Sequence, residues 1–271
     1  MLELNFILEE CVKLARKAGQ AILEVAQSSD LNIRKKADKS VVTRADMYAH
    51  EIINNGLMHL TPDIPIISEE GVDIPAAIRL PWERCWLVDP LDGTRGFVNG
   101  SGEYTVNIAL IENHKPILGV IYAPQLNGKM YAALHPYVKS RVRAASTAVQ
   151  LPRPLRIAMS QYHGSHGFED LLLQLTEYVL VRANSSIKFG MIADGQVDIY
   201  LRIGPTSEWD TAAGQCIVAA SGGLVVDLEG ETLQYNGRDT LTNPSFLVVR
   251  DPNFLDPFLN LMKRIKGEQS E

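Results

Sequence analysis

The run Cys85-Trp86-Leu87-Val88, followed by Asp89-Pro90-Leu91-Asp92-Gly93-Thr94, constrains this chain more than any other stretch. Four consecutive apolar residues predict a short buried strand. Two carboxylates stand three residues apart at its end. Pro90 and Gly93 favour a turn there, so both acids can face one point. Like charges held that close repel and raise a pKa unless a cation lies between them. Such oxygens suit a hard divalent cation such as Mg²⁺, with the Leu91 carbonyl as a third ligand. Gly93 and Thr94 offer N–H groups and a hydroxyl, an anion site if a helix begins there. Metal beside anion implies phosphate chemistry. Asp-Pro and Asp-Gly are also ordinary turn pairs, and a plain turn accounts for these residues when they stand alone.

With 271 residues, 46% hydrophobic and 21% charged, the chain can form one large globular domain or two modest ones. A net charge of −6 argues against a nucleic-acid polymer as partner and leaves a small nucleotide open. Cys11, Cys85 and Cys216 are far apart, show no metal spacing and sit in apolar stretches, so they are expected to be reduced core residues in a reducing compartment. No signal-like leader and no apolar run of membrane-spanning length is visible.

Ile7, Cys11, Leu14, Ala15, Ala18, Ile22 and Val25 recur at helical spacing and predict an amphipathic helix over 4–27. Arg34-Lys35-Lys36 with Asp38-Lys39 reads as a solvated loop. Thr43 is a candidate N-cap with Asp46 three residues on, before a helix carried by Ala49, Ile53, Leu57 and Leu60. On spacing alone Asp46 is a capping residue, with catalysis as the alternative. Ile64-Pro65-Ile66-Ile67 predicts a strand ending at Ser68-Glu69-Glu70. Glu69 repeats the acid-at-strand-end arrangement, and Glu70 reads as solvent-facing. Residues 75–80 form a short helix or loop. Strands over 103–111, 116–122 and 129–134 make an antiparallel meander.

Lys139, Arg141, Arg143 and Arg153 with Pro136, Pro152 and Pro154 mark a composition shift, which places a junction between halves 1–150 and 151–271. Beyond it, strands over 156–159, 178–182, 197–201, 224–227 and 246–249 alternate with helices over 167–176, 185–194 and 209–221, an α/β pattern. A last amphipathic helix carries Phe254, Phe258, Leu261, Met262 and Ile265. Ser207 and Asp210 form a second capping pair. The alternative is that Asp210 projects into a cleft between the halves.

Taken together, Ser68-Glu69-Glu70, Asp89-Pro90-Leu91-Asp92-Gly93-Thr94 and Glu208-Trp209-Asp210-Thr211-Ala212-Ala213-Gly214 resemble the lithium-sensitive, magnesium-dependent phosphatase superfamily that includes inositol monophosphatase. Within it, residues 102–111, 115–124, 185–189 and 204–210 are similar to the bacterial 3′(2′),5′-bisphosphate nucleotidases. The resemblance implies a mixed α+β chain folded as a layered αβαβα sandwich of the inositol monophosphatase and sugar phosphatase type. An N-terminal α+β half would carry most metal ligands. A C-terminal α/β half would carry Asp210 and the leaving-group contacts.

The same resemblance implies two or three Mg²⁺ ions held by Glu69, Asp89, the Leu91 carbonyl, Asp92 and Asp210. It implies Asp46 and Thr94 as the catalytic pair. The substrate would meet Glu69, Leu91, Asp92, Gly93, Thr94, Ser160, His163, Ser185, Lys188 and Asp210. The implied reaction is hydrolysis of the 3′-phosphate of adenosine 3′,5′-bisphosphate, or of its phosphosulfate analogue, by a cytoplasmic monomer or homodimer with membrane-surface association left open. An inositol or sugar phosphate is the alternative substrate. A non-catalytic phosphate-ligand sensor is the alternative of another class, against which the complete set Glu69, Asp89, Asp92 and Asp210 argues. The text departs from the nucleotidase pattern at Arg95-Gly96-Phe97, Gln161, Asn184 and Gly190, none of them a metal ligand.

Overall fold

A computed structural model describes residues 2–28, 31–35, 41–135, 154–160, 175 and 177–268. His163, the helix expected over 167–176 and most of the basic junction fall outside these residues, apart from residue 175 of that helix.

The first sheet is built from β3 (Ile66–Ser68), β4 (Arg84–Asp92), β5 (Thr105–Glu112), β6 (Lys115–Ala123) and β7 (Lys129–Leu134), in that order across the sheet. β4 to β7 form the expected antiparallel meander, and β3 joins β4 in parallel. The apolar run at residues 85–88 is buried on both faces because the sheet is covered on both sides. Trp86 and Val88 point to one core, where Val106, Ile108, Leu110 and Val120 meet α1 (Leu2–Ala26) and α2 (Arg44–Leu60). Cys85 and Leu87 point to the other, with Ala109, Ile111 and Ile121.

That second core is shared with α5 (Ile187–Ala193), α6 (Glu208–Ala220) and one face of a second sheet, through Phe189, Ala212, Ala213, Tyr200 and Phe246. At Gly119 a Cβ would lie 2.4 Å from the Ala213 carbonyl, so α6 rests directly on β6. The second sheet runs β11 (Leu224–Asp227), β12 (Phe246–Val249), β10 (Ile199–Arg202), β8 (Leu155–Met159), β9 (Tyr178–Arg182). Its outer face, Ile157, Ile199, Leu247 and Val249, packs on Phe254 and on α7 (Leu255–Glu268) through Phe258 and Leu259. The layers are therefore αβαβα, as the resemblance implies. Cys11, Cys85 and Cys216 are free and buried. Among the described residues no helix is long and apolar enough to cross a membrane.

Two local expectations are corrected. Arg34–Lys35 (β1) pair antiparallel with Val41–Val42 (β2), where the sequence suggests only a charged loop. The β-branched Val pair supplies the partner strand. Pro90 does not end β4 in a turn either. Asp89 faces Asn107 and Asp92 faces Thr105, three steps on one strand against two on the other. This bulge absorbs Pro90 and Leu91 and re-aims the two acids.

Candidate active site

Three elements bring their acids together. β3 delivers Glu69, whose N–H donates to the Val88 carbonyl at 3.1 Å and so keeps strand register up to the site. β4 delivers Asp89 and Asp92 on either side of the bulge. Asp89 Oδ1 accepts the Leu91 N–H at 3.0 Å, which tightens the bulge. α6 delivers Asp210 from its first turn. One carboxylate oxygen each of Asp89, Asp92 and Asp210 lies within 4.8 Å of the others.

These acids are electrostatically unsatisfied as they stand. Burial pushes Asp89 well above the usual carboxylate range, and the negative charges of Glu69, Asp92 and Asp210 add to it. Asp210 is also raised well above it, by burial and then by Asp92 and Glu69. Asp92 is raised by burial against the opposing pull of Lys188, the Ser186 N–H at 2.6 Å and the Asn107 side chain. An oxygen-only donor set that repels itself this way fits a hard divalent cation such as Mg²⁺.

Beside the cluster, Asp46 caps α2. Its Oδ2 accepts from the Thr43 N–H at 2.7 Å and from Thr43 Oγ1 at 2.6 Å. Its Oδ1 accepts from Thr94 Oγ1 at 3.1 Å, and the Leu91 carbonyl is a second acceptor for that hydroxyl at 3.2 Å. Burial raises the Asp46 carboxyl; the Thr43 donors resist this, and the charge of Glu70 reinforces it. Thr94 opens α4 (Thr94–Val98). Gly93 precedes it at φ 93°, where a Cβ would lie 3.0 Å from the Glu103 carbonyl and 3.3 Å from Ser185 Cβ. Only glycine lets Asp92 and Thr94 approach the opposite wall this closely.

That wall joins Glu103 to the stretch around Ser185. A cleft of about 260 Å³ is lined by Glu69, Asp92 and Asp210 together with Ser160, Lys188 and Arg202. Asn184 is tied across it, its N–H and Nδ2 donating to Glu103 Oε2 at 3.0 and 2.8 Å. Ser185 sits at φ 53°, and its buried Oγ has no hydrogen-bond partner among the described residues. The helix expected from Ser185 starts at Ile187, and the Ser186 N–H is taken by Asp92.

A family model for the inositol monophosphatase family matches residues 3–259. The chain belongs to this family. Among inositol monophosphatase family proteins, it is 46% identical over 246 residues to the 3′(2′),5′-bisphosphate nucleotidase CysQ of Salmonella typhimurium, covering 90% of this chain and 99% of that one. Identity to CysQ of Escherichia coli K12 is 44%, covering 89% and 99%. Among solved structures, CysQ from Bacteroides thetaiotaomicron, described as a bacterial member of the family, matches with a TM-score of 0.75 at 34% identity, over 89% of this chain and 96% of that one.

Within this member of the inositol monophosphatase family, Glu69, Asp89, Asp92, Asp210, Asp46 and Thr94 converge on one place. Gly93, Ser160, Ser185 and Lys188 line the cleft beside them, and the Leu91 carbonyl accepts from Thr94, which also lines it. Lys188 is less available than a surface lysine. Its Nζ donates to the Ala183 and Ser185 carbonyls, at 3.3 and 2.5 Å, and sits over the Tyr200 ring. Burial pulls it down to about 8 against the opposing charge of Asp92.

Two residues escape sequence reasoning. Glu70 reads as solvent-facing, yet its charge reaches Asp46. Arg202 ends β10 in the cleft, its Nη2 donating to the Pro205 carbonyl at 3.1 Å and its buried Nε without a hydrogen-bond partner among the described residues. An arginine closing an apolar strand, just before Gly204-Pro205, is the signal that could have found it.

Proposed function

We propose that this chain hydrolyses the 3′-phosphate of adenosine 3′,5′-bisphosphate, giving AMP and inorganic phosphate. The observation that carries the reading is a single cleft lined both by acids and by cationic or donor groups. Glu69, Asp92 and Asp210 line it together with Arg202, Lys188 and Ser185, and the charges of Lys188 and Arg202 act on Asp92. A substrate with two phosphates on one nucleoside suits such a mixed lining. The relatives named as bisphosphate nucleotidases at 44–46% identity support the same choice.

Glu69, Asp89, the Leu91 carbonyl, Asp92 and Asp210 would hold Mg²⁺, with two or three ions as the expected number. When bound, Mg²⁺ supplies the positive charge that acidifies the attacking water and offsets charge on the leaving oxygen. The protein's own part is positioning and proton handling. Thr94 Oγ1 can pass its proton to Asp46 Oδ1 while taking one from a water that hydrogen-bonds to it. That water's oxygen attacks phosphorus in line with the 3′-oxygen. The bond from phosphorus to the 3′-oxygen breaks with its electron pair on oxygen, which takes a proton from solvent. Asp46 then returns its proton to solvent. The Asp46 carboxyl, raised by burial, is a stronger base than an exposed aspartate. The halves divided near residue 150 would both contribute, the first the base and most acids, the second Asp210 and the nucleoside contacts.

Phosphate release in Mg²⁺ from adenosine 3′,5′-bisphosphate, inositol 1-phosphate and fructose 1,6-bisphosphate tests this. The nucleotide is expected to turn over fastest. Faster release from inositol 1-phosphate would overturn the nucleotide assignment and leave the phosphatase assignment standing.

A further inference from the structure

The loop from Tyr235 to Asn243 closes over the start of α6, and its buried polar groups take no part in the proton path. Asn236 adopts a left-handed φ of 52°, which asparagine tolerates better than most residues. Its N–H donates to Glu208 Oε2 at 2.6 Å, its Nδ2 to the Arg79 carbonyl at 2.7 Å, and its Oδ1 accepts from Arg79 Nη1 at 3.0 Å. Arg79 Nη2 donates to the Asp239 carbonyl at 2.6 Å, and Arg238 Nη2 donates to Glu208 Oε1 at 3.2 Å. Glu208, Asn236 and Arg79 are 0%, 1% and 2% exposed, so the contacts among these three are shielded from water. On the other side of the helix start, the Glu208 N–H donates to the Leu241 carbonyl and Asn243 Nδ2 donates to the Ser207 carbonyl.

The endpoints of the chain of contacts matter. Arg79 ends α3 (Ala76–Arg79), which lies in the chain between Glu69, just after β3, and Asp89 on β4. Glu208 is the first residue of α6, two before Asp210. The contacts therefore bridge the segment carrying Glu69 and Asp89 to the helix carrying Asp210. Buried ion pairs contribute little net stability compared with apolar packing, so stability alone is a poor reason for one here. Asp210 must instead be kept facing acids that repel it.

We propose that Glu208, clamped by Asn236 and Arg238 and linked through Asn236 to Arg79, is a positioning residue that fixes the start of α6 so that Asp210 meets the acids of the N-terminal half. The inference rests on the reading of Asp210 as a metal ligand.

Glu208→Gln conserves shape but leaves one oxygen to serve two donors. Mg²⁺ is titrated against the intact chain without substrate, by calorimetry and by the rise in melting temperature, and the Mg²⁺ dependence of turnover is measured in parallel. The half-saturating Mg²⁺ concentration is expected to rise about 10–100-fold, the range for losing an outer partner of a metal ligand. KM at saturating Mg²⁺ should change little. Asp198→Asn is the control, because it breaks a buried acid's pairing with Arg156 and Arg250 elsewhere. It should lower the melting temperature and leave the Mg²⁺ midpoint unchanged.

If Glu208→Gln behaves like this control, the positioning role is overturned. Asp210→Asn separates the two readings. A wild-type midpoint in that variant as well would overturn the metal assignment itself. Should Glu208→Gln fail to fold, Arg238→Ala decides, since Arg238 has a side chain 37% exposed and removes one contact only. A smaller rise in the midpoint sustains the proposal, and a wild-type midpoint overturns it.

Discussion

Thr43-Arg44-Ala45-Asp46 and Ser207-Glu208-Trp209-Asp210 build the same local structure at two places in the molecule. Each opens a helix with a capping box, and in each the aspartate accepts the cap residue's N–H, at 2.7 and 2.8 Å. Their surroundings differ. Asp46 is met by the hydroxyls of Thr43 and Thr94, and the acid that acts on it is Glu70. Asp210 is met by Asp92 and Glu69. Burial raises both carboxyls. Donors restrain the first, and neighbouring acids drive the second further up. The backbone motif thus determines where a carboxylate is held. Its chemistry is decided by what the rest of the fold brings against it. Hydroxyls able to relay a proton make a base, and other acids make a cation site.

The largest expected effect separates the two boxes by activity. Asp46→Asn keeps an oxygen for the Thr43 N–H but cannot take a proton from Thr94. Turnover should fall by about 10²–10⁴-fold, the contribution of a general base. The rise in melting temperature on adding Mg²⁺ should remain. The second box should respond the other way. Asp210→Asn is expected to cost about 10²–10³-fold in turnover, as for one lost electrostatic contact in the transition state. The Mg²⁺-dependent rise in melting temperature should shrink with it, while the metal-free protein melts no lower, because one repelling charge has gone. Equal loss of Mg²⁺ stabilisation in both variants would erase the contrast between the boxes.

How much of this was legible in the sequence follows the same division. The boxes, the strand at 85–88 and the meander come from local patterns, namely cap spacing, apolar runs and turn residues, and they are present in the fold. Both aspartates could be read as caps from spacing, and both are caps. Their convergence with Glu69, Asp89 and Asp92 could not be read that way, since it depends on α6 lying across β6 from a hundred residues away. Only the resemblance carried by the motifs supplied it. The bulge at Pro90-Leu91 reads as a turn in the sequence because a proline between two acids favours either, and the choice is made by pairing with Asn107 and Thr105. Glu70, Arg202 and the Arg79–Asn236–Glu208 contacts were missed for a related reason. Each is an ordinary charged or polar residue by composition, and each acquires its partner only through tertiary contact.

The smallest effect compares Asp210 with a third buried acid that has cations. Asp198 accepts from Arg156 Nε at 3.0 Å and Nη2 at 2.7 Å, and from Arg250 Nε at 3.1 Å. Burial alone would raise its carboxyl. The Arg156 hydrogen bonds, with Arg250 behind them, outweigh burial and hold it below the usual range. The two acids should therefore tilt stability in opposite directions with pH. Asp198 binds its proton less readily folded than unfolded, so its contribution is present above the ordinary aspartate value and lost as pH falls through the depressed folded value. Asp210 without metal binds its proton more readily folded. Its contribution is present below the ordinary value and lost as pH rises through the raised folded one. Urea unfolding of metal-free protein across pH should show both limbs. Asp198→Asn is expected to flatten the acid limb, at a cost of about 1–3 kcal/mol at neutral pH for the weakened charged hydrogen bonds. Asp210→Asn should flatten the other limb, and Mg²⁺ should do the same to the wild-type chain by supplying the missing cation. An acid limb that responds to Mg²⁺, or a neutral limb that does not, would mean that the cation site lies somewhere other than the acids around Asp210.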